Sequence, residues 1–328
     1  LAGPANRQGR IVADNMVFGN TTEYEGAIGT SIAKVFDVVV GSTGLPAKRL
    51  KQLGIKYQSS TTTSMSHAEY YPGAFFITTK LTFNPEDGTL YGAQCVGHEG
   101  VDKRIDQLAI IIKHKGTIYD LIRLEQAYAP PFSSAKDPIA IAGYTAANII
   151  SGKMPVIYWR DIDGLDRSKV QIIDTRTPSE FSLGTISGAI NIPVDDIRER
   201  MGEIDKSKPV VTFCAVGLRG YIAARILMAN GYDVRNLSGG YKTYQLATQD
   251  LQCADGNDDS DNSSCSCSCT PGSQCSDSRA TLTVDACGLQ CPGPILKLKQ
   301  ATDDMQPGET IEVKATDPRF SVRRKGVV

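Results

Sequence analysis

The chain has 328 residues, of which 41% are hydrophobic and 22% charged, and its formal net charge is −1. That length accommodates about two to three ordinary domains, while the absence of a basic stripe and of a long apolar run speaks against nucleic-acid binding and membrane spanning. Nine cysteines are too few for a disulfide scaffold of this size, and they fit a reducing, cytoplasmic setting.

The first residues, Leu1-Ala-Gly-Pro-Ala-Asn-Arg7, carry no initiator Met and no signal-peptide pattern, and they read as an internal stretch of a longer protein. A helix is predicted over Arg7–Met16 and a strand over Phe36–Val40. Ala74–Phe83 and Thr89–Val96 alternate in strand fashion around Asn84-Pro-Glu-Asp-Gly88, a hairpin signal. Val101, Ile105, Leu108, Ala109 and Ile112 recur at helical spacing and predict an amphipathic helix over that sheet. A helical stretch, Tyr144–Ile150, then leads to a boundary near Ser151-Gly-Lys-Met-Pro155.

From there strand and helix alternate. Val170–Ile173, Ala189–Ile192, Val210–Phe213 and Val234–Leu237 are the strand candidates, and Ile222, Ala223, Ile226 and Leu227 mark a helix. This alternation predicts a parallel, doubly wound sheet with its site at the carboxyl ends of the strands, where Asp174 and Cys214 fall. Residues 252–280 are rich in Asp, Ser and Cys and nearly free of large apolar side chains, so they read as a disordered linker. The remainder predicts a strand at Thr281–Val284, a helix over about Pro292–Met305 and a strand at Thr310–Lys314.

The chemistry concentrates at Cys214-Ala-Val-Gly-Leu-Arg219. A cysteine between a buried strand and a helix meets converging backbone N–H groups and the positive end of that helix, both of which favour a thiolate. Arg219 adds a fixed positive charge. Only four residues separate Cys214 from Arg219, one fewer than the loops of phosphatases and arsenate reductases use to hold a tetrahedral oxyanion, so the loop is sized for sulfur.

With Ile173-Asp-Thr-Arg-Thr-Pro-Ser-Glu-Phe181, Gly184-Thr-Ile-Ser-Gly-Ala-Ile-Asn-Ile-Pro193 and Leu237-Ser-Gly-Gly-Tyr241, this loop resembles the rhodanese domains. A departure is Thr185, where many members have histidine. The resemblance implies that Cys214 accepts sulfane sulfur as a persulfide, cradled by the N–H groups of Ala215, Val216, Gly217, Leu218 and Arg219. For Asp174 and Arg176 two readings stand side by side, a structural ion pair and a supporting catalytic part.

Further on, Cys291 precedes a proline suited to a first helical turn, a position that favours the thiolate. Cys291-Pro-Gly-Pro294, Gly308-Glu309 and Thr316-Asp-Pro318 resemble the TusA/SirA-type sulfur carriers over the first two-thirds of that family's length. Cys291 would then receive sulfur from Cys214, the alternatives being a structural thiol or a Cys287–Cys291 disulfide. A linker of this length has an r.m.s. span of ~30 Å, enough to raise the carrier's effective concentration at the loop. Cys265, Cys267, Cys269 and Cys275 read either as adventitious thiols or as ligands for a soft metal.

In the first piece, Glu125-Gln-Ala-Tyr-Ala-Pro-Pro-Phe-Ser-Ser-Ala-Lys-Asp-Pro138, His67-Ala-Glu-Tyr-Tyr-Pro-Gly73, Gly100-Val-Asp-Lys-Arg-Ile105 and Ala2-Gly-Pro-Ala-Asn-Arg7 resemble the C-terminal part of the CoA-disulfide reductases, a region that serves as the dimerisation domain in that family. That resemblance implies that Tyr128 approaches the partner subunit's flavin. It also implies that Asn6 and Lys136 contact a CoA-type thiol and that Tyr70 or Tyr71 assists at the disulfide. No Gly-x-Gly-x-x-Gly occurs in the chain, so FAD and NAD(P)H would be bound by other parts of an intact protein. Cys95 reads as core, and His67, His98 and His114 lack metal-ligand spacing, so no metal is expected.

The expected fold class is multidomain α/β and α+β. An FAD-binding domain would end at 1–22, followed by an antiparallel-sheet dimerisation domain at 23–152 and a parallel doubly wound rhodanese domain at 155–251. The linker at 252–280 and a small truncated βαβ sulfur-carrier piece at 281–328 complete the chain. The leading expectation is part of an FAD- and NAD(P)H-dependent CoA-disulfide, persulfide or polysulfide reductase with sulfurtransferase activity, dimeric through 23–152. Its partners would be thiols, persulfides or thiosulfate and a downstream sulfur-acceptor protein. One alternative is a sulfurtransferase whose first domain only dimerises, and another is a non-catalytic sulfur-binding scaffold.

Overall fold

The computed structural model describes residues 2–248, 282–285, 301 and 311–314. The chain divides into a unit from Leu1 to Thr248 and a second from Gln249 to Val328.

The first unit opens with α1 (Ala2–Phe18), which buries none of its residues. The hairpin β1 (Ser31–Val35) and β2 (Val38–Gly44) follows, then α2 (Ala47–Gln52). The strand expected at Phe36–Val40 is shifted, because Phe36 sits in the hairpin turn with φ 51° while β2 runs on to Gly44. Next come β3 (Gln58–Met65), β4 (Phe76–Phe83) and β5 (Leu90–Gly97), giving an antiparallel sheet of order β1-β2-β5-β4-β3. The Asn84–Gly88 segment turns β4 into β5 as expected.

Helix α3 (Val101–Lys113) lies on this sheet, burying Val101, Ile105 and Leu108 against Ile77, Leu81 and Cys95. The helices α4 (Ile118–Arg123) and α5 (Pro138–Ile150) complete the layer. Both start on side-chain caps. Thr117 and Asp120 form a capping box for α4, and Asp137 accepts from the Ile139 N–H ahead of α5.

The rest of this unit runs β6 (Val156–Ile157), α6 (Trp159–Ile162), β7 (Gln171–Asp174), α7 (Pro178–Ser182), β8 (Ala189–Asn191), β9 (Val210–Phe213), α8 (Leu218–Ala229), β10 (Val234–Leu237) and α9 (Gly240–Thr248). The strands pair in parallel in the order β6-β10-β9-β7-β8. Ile173 and Val210 pack into one core and their neighbours Ile172 and Val211 into another, so both faces are covered, as a doubly wound sheet requires.

The edge strand β3 meets the parallel-sheet region directly. The Tyr158 hydroxyl donates to the Ser59 carbonyl at 2.9 Å and accepts from Gln58, and the Thr61 N–H donates to Ser238 Oγ at 3.1 Å. Covering an edge in this way removes a row of unpaired backbone groups from solvent.

In the second unit, β11 (Leu282–Asp285) and β12 (Ile311–Lys314) pair in parallel with Leu282 opposite Ile311. Ala301 is helical. The linker, Cys291 and the rest of the helix expected between these strands lie outside the described residues.

Candidate functional site: the Cys214 loop and the Tyr128 cleft

Cys214 leaves the end of β9 and is 1% exposed. The chain reverses through Gly217, whose φ of 113° is open to glycine but strained for other residues, and enters α8. That turn aims the Gly217 N–H at Cys214 Sγ, at 3.1 Å. From below, the Tyr241 N–H donates to the Cys214 carbonyl at 2.8 Å and the Lys242 N–H to the Ala215 carbonyl at 3.0 Å. This close seat needs a glycine at 240, since a Cβ there would lie 2.5 Å from the Cys214 oxygen.

Arg219 closes the loop and grips Glu180 through two hydrogen bonds of 2.7 Å each. Glu180 also accepts from the N–H and hydroxyl of Thr177. Arg219 lowers the Glu180 carboxyl to about 2 against the weaker opposing effect of burial, with Thr177 adding to the drop. Glu180 in turn, and then the nearby Cys214 sulfur, hold the guanidinium above its ordinary value. The loop thus presents a thiol to backbone donors, a helix N-terminus and a fixed cation, an arrangement that can stabilise a thiolate and a bound sulfane sulfur.

Asp174 and Arg176 form a buried ion pair with an N–O distance of 2.6 Å. Arg176 also donates to the Gly184 carbonyl and lies 4.3 Å from the Tyr241 ring centroid. Among the described residues, neither side chain hydrogen bonds to the Cys214 loop. Thr185 donates to Asp174 Oδ2 at 2.8 Å, so the hydroxyl at this departure from the rhodanese pattern completes the carboxylate's set of donors.

Asn236 was missed as a site residue. Its side chain, 3% exposed, donates to the Gly217 carbonyl at 3.2 Å, beside the Tyr221 N–H at 2.9 Å, and so helps to hold the residue whose N–H faces the sulfur. Its Oδ1 has no hydrogen-bond partner and packs against Gly220. An amide in register with Val234 and next to Leu237 in a short strand was the available signal, because a buried amide needs a partner.

Of the other candidates, Tyr128 lines a cleft of about 440 Å³ together with Ser66, His67, Glu99, Lys103 and Phe132 among others, whereas Tyr70, Tyr71, Lys136 and Asn6 are not among its lining residues. Tyr70 stands beside Tyr128, and partial desolvation followed by that neighbour pushes the Tyr70 phenol up. Tyr71 packs edge-on to His67 at 6.0 Å. Lys136 is exposed in the loop before α5, and Asn6 lies on exposed α1, where its amide bonds to the Ala2 carbonyl.

Beneath the cleft is a second pair the sequence reading missed. Arg104 is 1% exposed and donates to both Asp137 oxygens, to the Gly100 carbonyl and to the Ser66 carbonyl. Burial alone would raise the Asp137 carboxyl, but hydrogen bonds from Arg104 and Ser133 hold it below the usual range. Among the described residues no cluster of His, Cys, Asp or Glu could hold a metal. The antiparallel sheet and exposed Tyr128 offer no glycine-rich phosphate turn, so these residues do not by themselves fit a flavin.

Comparison with known proteins follows the same division. Residues 30–150 match the pyridine nucleotide-disulphide oxidoreductase dimerisation domain, 162–247 the rhodanese-like domain, and 282–323 sulfurtransferase TusA. Coenzyme A disulfide reductase of Staphylococcus aureus strain bovine RF122 / ET3-1 is 38% identical over 146 residues, covering 44% of this chain and 33% of that protein. The reduced CoADR-RHD of Bacillus anthracis is 47% identical with a TM-score of 0.72, over 75% of this chain and 44% of that one. An NAD-dependent persulfide reductase from A. fulgidus is 36% identical with a TM-score of 0.66, over 73% and 43%. The chain therefore spans about a third of the length of the curated relatives it matches. It joins an oxidoreductase dimerisation domain, a rhodanese domain and a TusA segment in one polypeptide.

Proposed function

We propose that this chain, with its dimerisation, rhodanese and TusA parts, belongs to a cytoplasmic, homodimeric reductase of CoA disulfides, persulfides or polysulfides that also transfers sulfur. Dimerisation runs through residues 23–152. Tyr128 and Tyr70 or Tyr71 face the reductase chemistry, and Asn6 and Lys136 hold a CoA-type thiol. FAD and NAD(P)H supply the electrons and are bound by parts of the intact protein other than these residues. The domain limits remain those expected from the sequence, at 23–152, 155–251 and 281–328.

The Cys214 thiolate attacks the outer sulfur of R–S–SH. The donor's S–S bond breaks as the Cys214 S–S bond forms, and RS⁻ leaves with the electron pair, so no outside oxidant or reductant is needed. The N–H groups of Ala215 to Arg219 face the transferred sulfur, which then passes to the Cys291 thiolate in the same way and on to an acceptor protein.

The observation that carries this reading is the Gly217 N–H directed at Cys214 Sγ at 3.1 Å. To test it, the full chain is incubated with an organic persulfide and mapped by mass spectrometry. One added sulfur is expected on Cys214 and then on Cys291, and on neither in Cys214→Ser. An unloaded Cys214 would overturn the mechanism, and loading of Cys291 in Cys214→Ser would overturn the relay. NAD(P)H oxidation driven by CoA persulfide in the intact protein checks the reductase part; its absence would leave a sulfurtransferase whose first domain only dimerises.

A further inference from the structure

We propose that Glu180 selects the sulfur donor, by closing Arg219 in a neutral ion pair so that the Cys214 mouth favours organic persulfides over the inorganic dianion thiosulfate. The inference rests on the reading of Cys214 as the sulfur acceptor.

Arg219 is the one cation in the loop, since Ala215, Val216, Gly217 and Leu218 are uncharged. A guanidinium recognises an oxyanion best through a two-pronged fork. Here both terminal nitrogens of Arg219 are already on the two Glu180 oxygens, at 2.7 Å each. Glu180 is not free to swing away, because Thr177 holds the same carboxylate with its N–H at 3.0 Å and its hydroxyl at 3.1 Å. The neighbouring cation, Arg176, is likewise committed to Asp174 and the Gly184 carbonyl.

What faces an incoming donor is therefore the Gly217 N–H and a neutral pair. Thiosulfate brings two negative charges to the loop and must leave as a sulfite dianion. An organic persulfide brings at most one negative charge at its reacting end and leaves as a thiolate, which that N–H can meet. The surroundings also suit an organic body. Leu218 within the loop is 65% exposed, and Leu183, just past the helix that carries Glu180, is 88% exposed. Glu180 touches neither sulfur, so it is a specificity-determining residue acting through Arg219.

The test compares single-turnover loading of Cys214 in the full chain by thiosulfate and by glutathione persulfide, read by mass spectrometry. In Glu180→Gln, which frees Arg219, the thiosulfate-to-persulfide rate ratio is expected to rise about tenfold. In Glu180→Asp, which keeps the charge, it should stay within about threefold of the native ratio. An unchanged ratio in Glu180→Gln overturns the proposal, while native loading by persulfide still upholds Cys214 as acceptor. If neither donor loads the native chain, the acceptor reading fails and the proposal with it. Salt dependence of the native chain gives a check independent of any variant. With the Arg219 charge neutralised and Cys214 attacking as a thiolate, the thiosulfate rate should not fall as ionic strength rises, and a steep fall would reveal a net positive site and contradict the proposal.

Discussion

Cys95 and Cys214 are sealed from solvent to the same degree, at 0% and 1% exposure, and each belongs to a strand-rich apolar core. Their surroundings differ in kind. Cys95 lies within β5, under α3, with the Thr79 hydroxyl 3.6 Å away, and burial pushes its thiol up to about 11. Cys214 stands just past the end of β9, where the Gly217 N–H, the start of α8 and Arg219 all face it. Burial therefore does not by itself separate the structural role of Cys95 from the sulfur-accepting role proposed for Cys214. What distinguishes their surroundings is that a backbone N–H outside the strand ladder, that of Gly217, reaches the Cys214 sulfur, whereas the donors of a strand interior are engaged in the ladder.

The largest expected contrast comes from removing each sulfur. Cys214→Ser should cut sulfur loading at least about a thousandfold, while Cys95→Ala should leave the loading rate within about twofold. The cost of Cys95→Ala should instead appear in denaturant melts, at about 1 kcal/mol. Next is Gly217→Ala, which forces a side chain into a backbone with φ 113°. That strain costs about 1–3 kcal/mol, and loss of the N–H alignment should slow loading about a hundredfold. Melting curves and single-turnover loading measure the two parts separately.

Asn236→Ala should have a smaller effect. It leaves the Gly217 carbonyl without its 3.2 Å donor, and loading should fall about tenfold while the parallel sheet stays folded by circular dichroism. The smallest effect is on acid stability. The Glu180 carboxyl is lowered from 4.5 to about 2, so its pairing stabilises the native chain above about 4.5 and that stabilisation is lost as pH falls toward 2. Melts of the native chain and Glu180→Gln across that window should converge at the acid end. A gap that stays constant with pH would mean that Glu180 acts through shape alone.

The parallel sheet was legible because strand and helix candidates alternate along this part of the chain, and Val210–Phe213 and Val234–Leu237 match the structure residue for residue. The antiparallel half was harder to read. Strand β3, Gln-Ser-Ser-Thr-Thr-Thr-Ser-Met, shows no apolar alternation, and its edge is covered by Tyr158 and Ser238, residues remote in sequence. The turn at Phe36-Asp37 was hidden because apolar residues flank it on both sides. Within the site, the loop from Cys214 to Arg219 was read from local spacing, since backbone geometry follows directly from it. The grips of Arg219 on Glu180, Asn236 on Gly217 and Arg104 on Asp137 join residues 39, 19 and 33 positions apart, and local spacing carries no record of such pairings.

The most direct test of the contrast is competitive alkylation of the native full chain at neutral pH, with each cysteine followed by peptide mass spectrometry. The account predicts that Cys214 is modified well ahead of Cys95 and that Cys95 reacts only as fast as the chain unfolds. Equal rates, or modification of Cys95 ahead of Cys214, would contradict it.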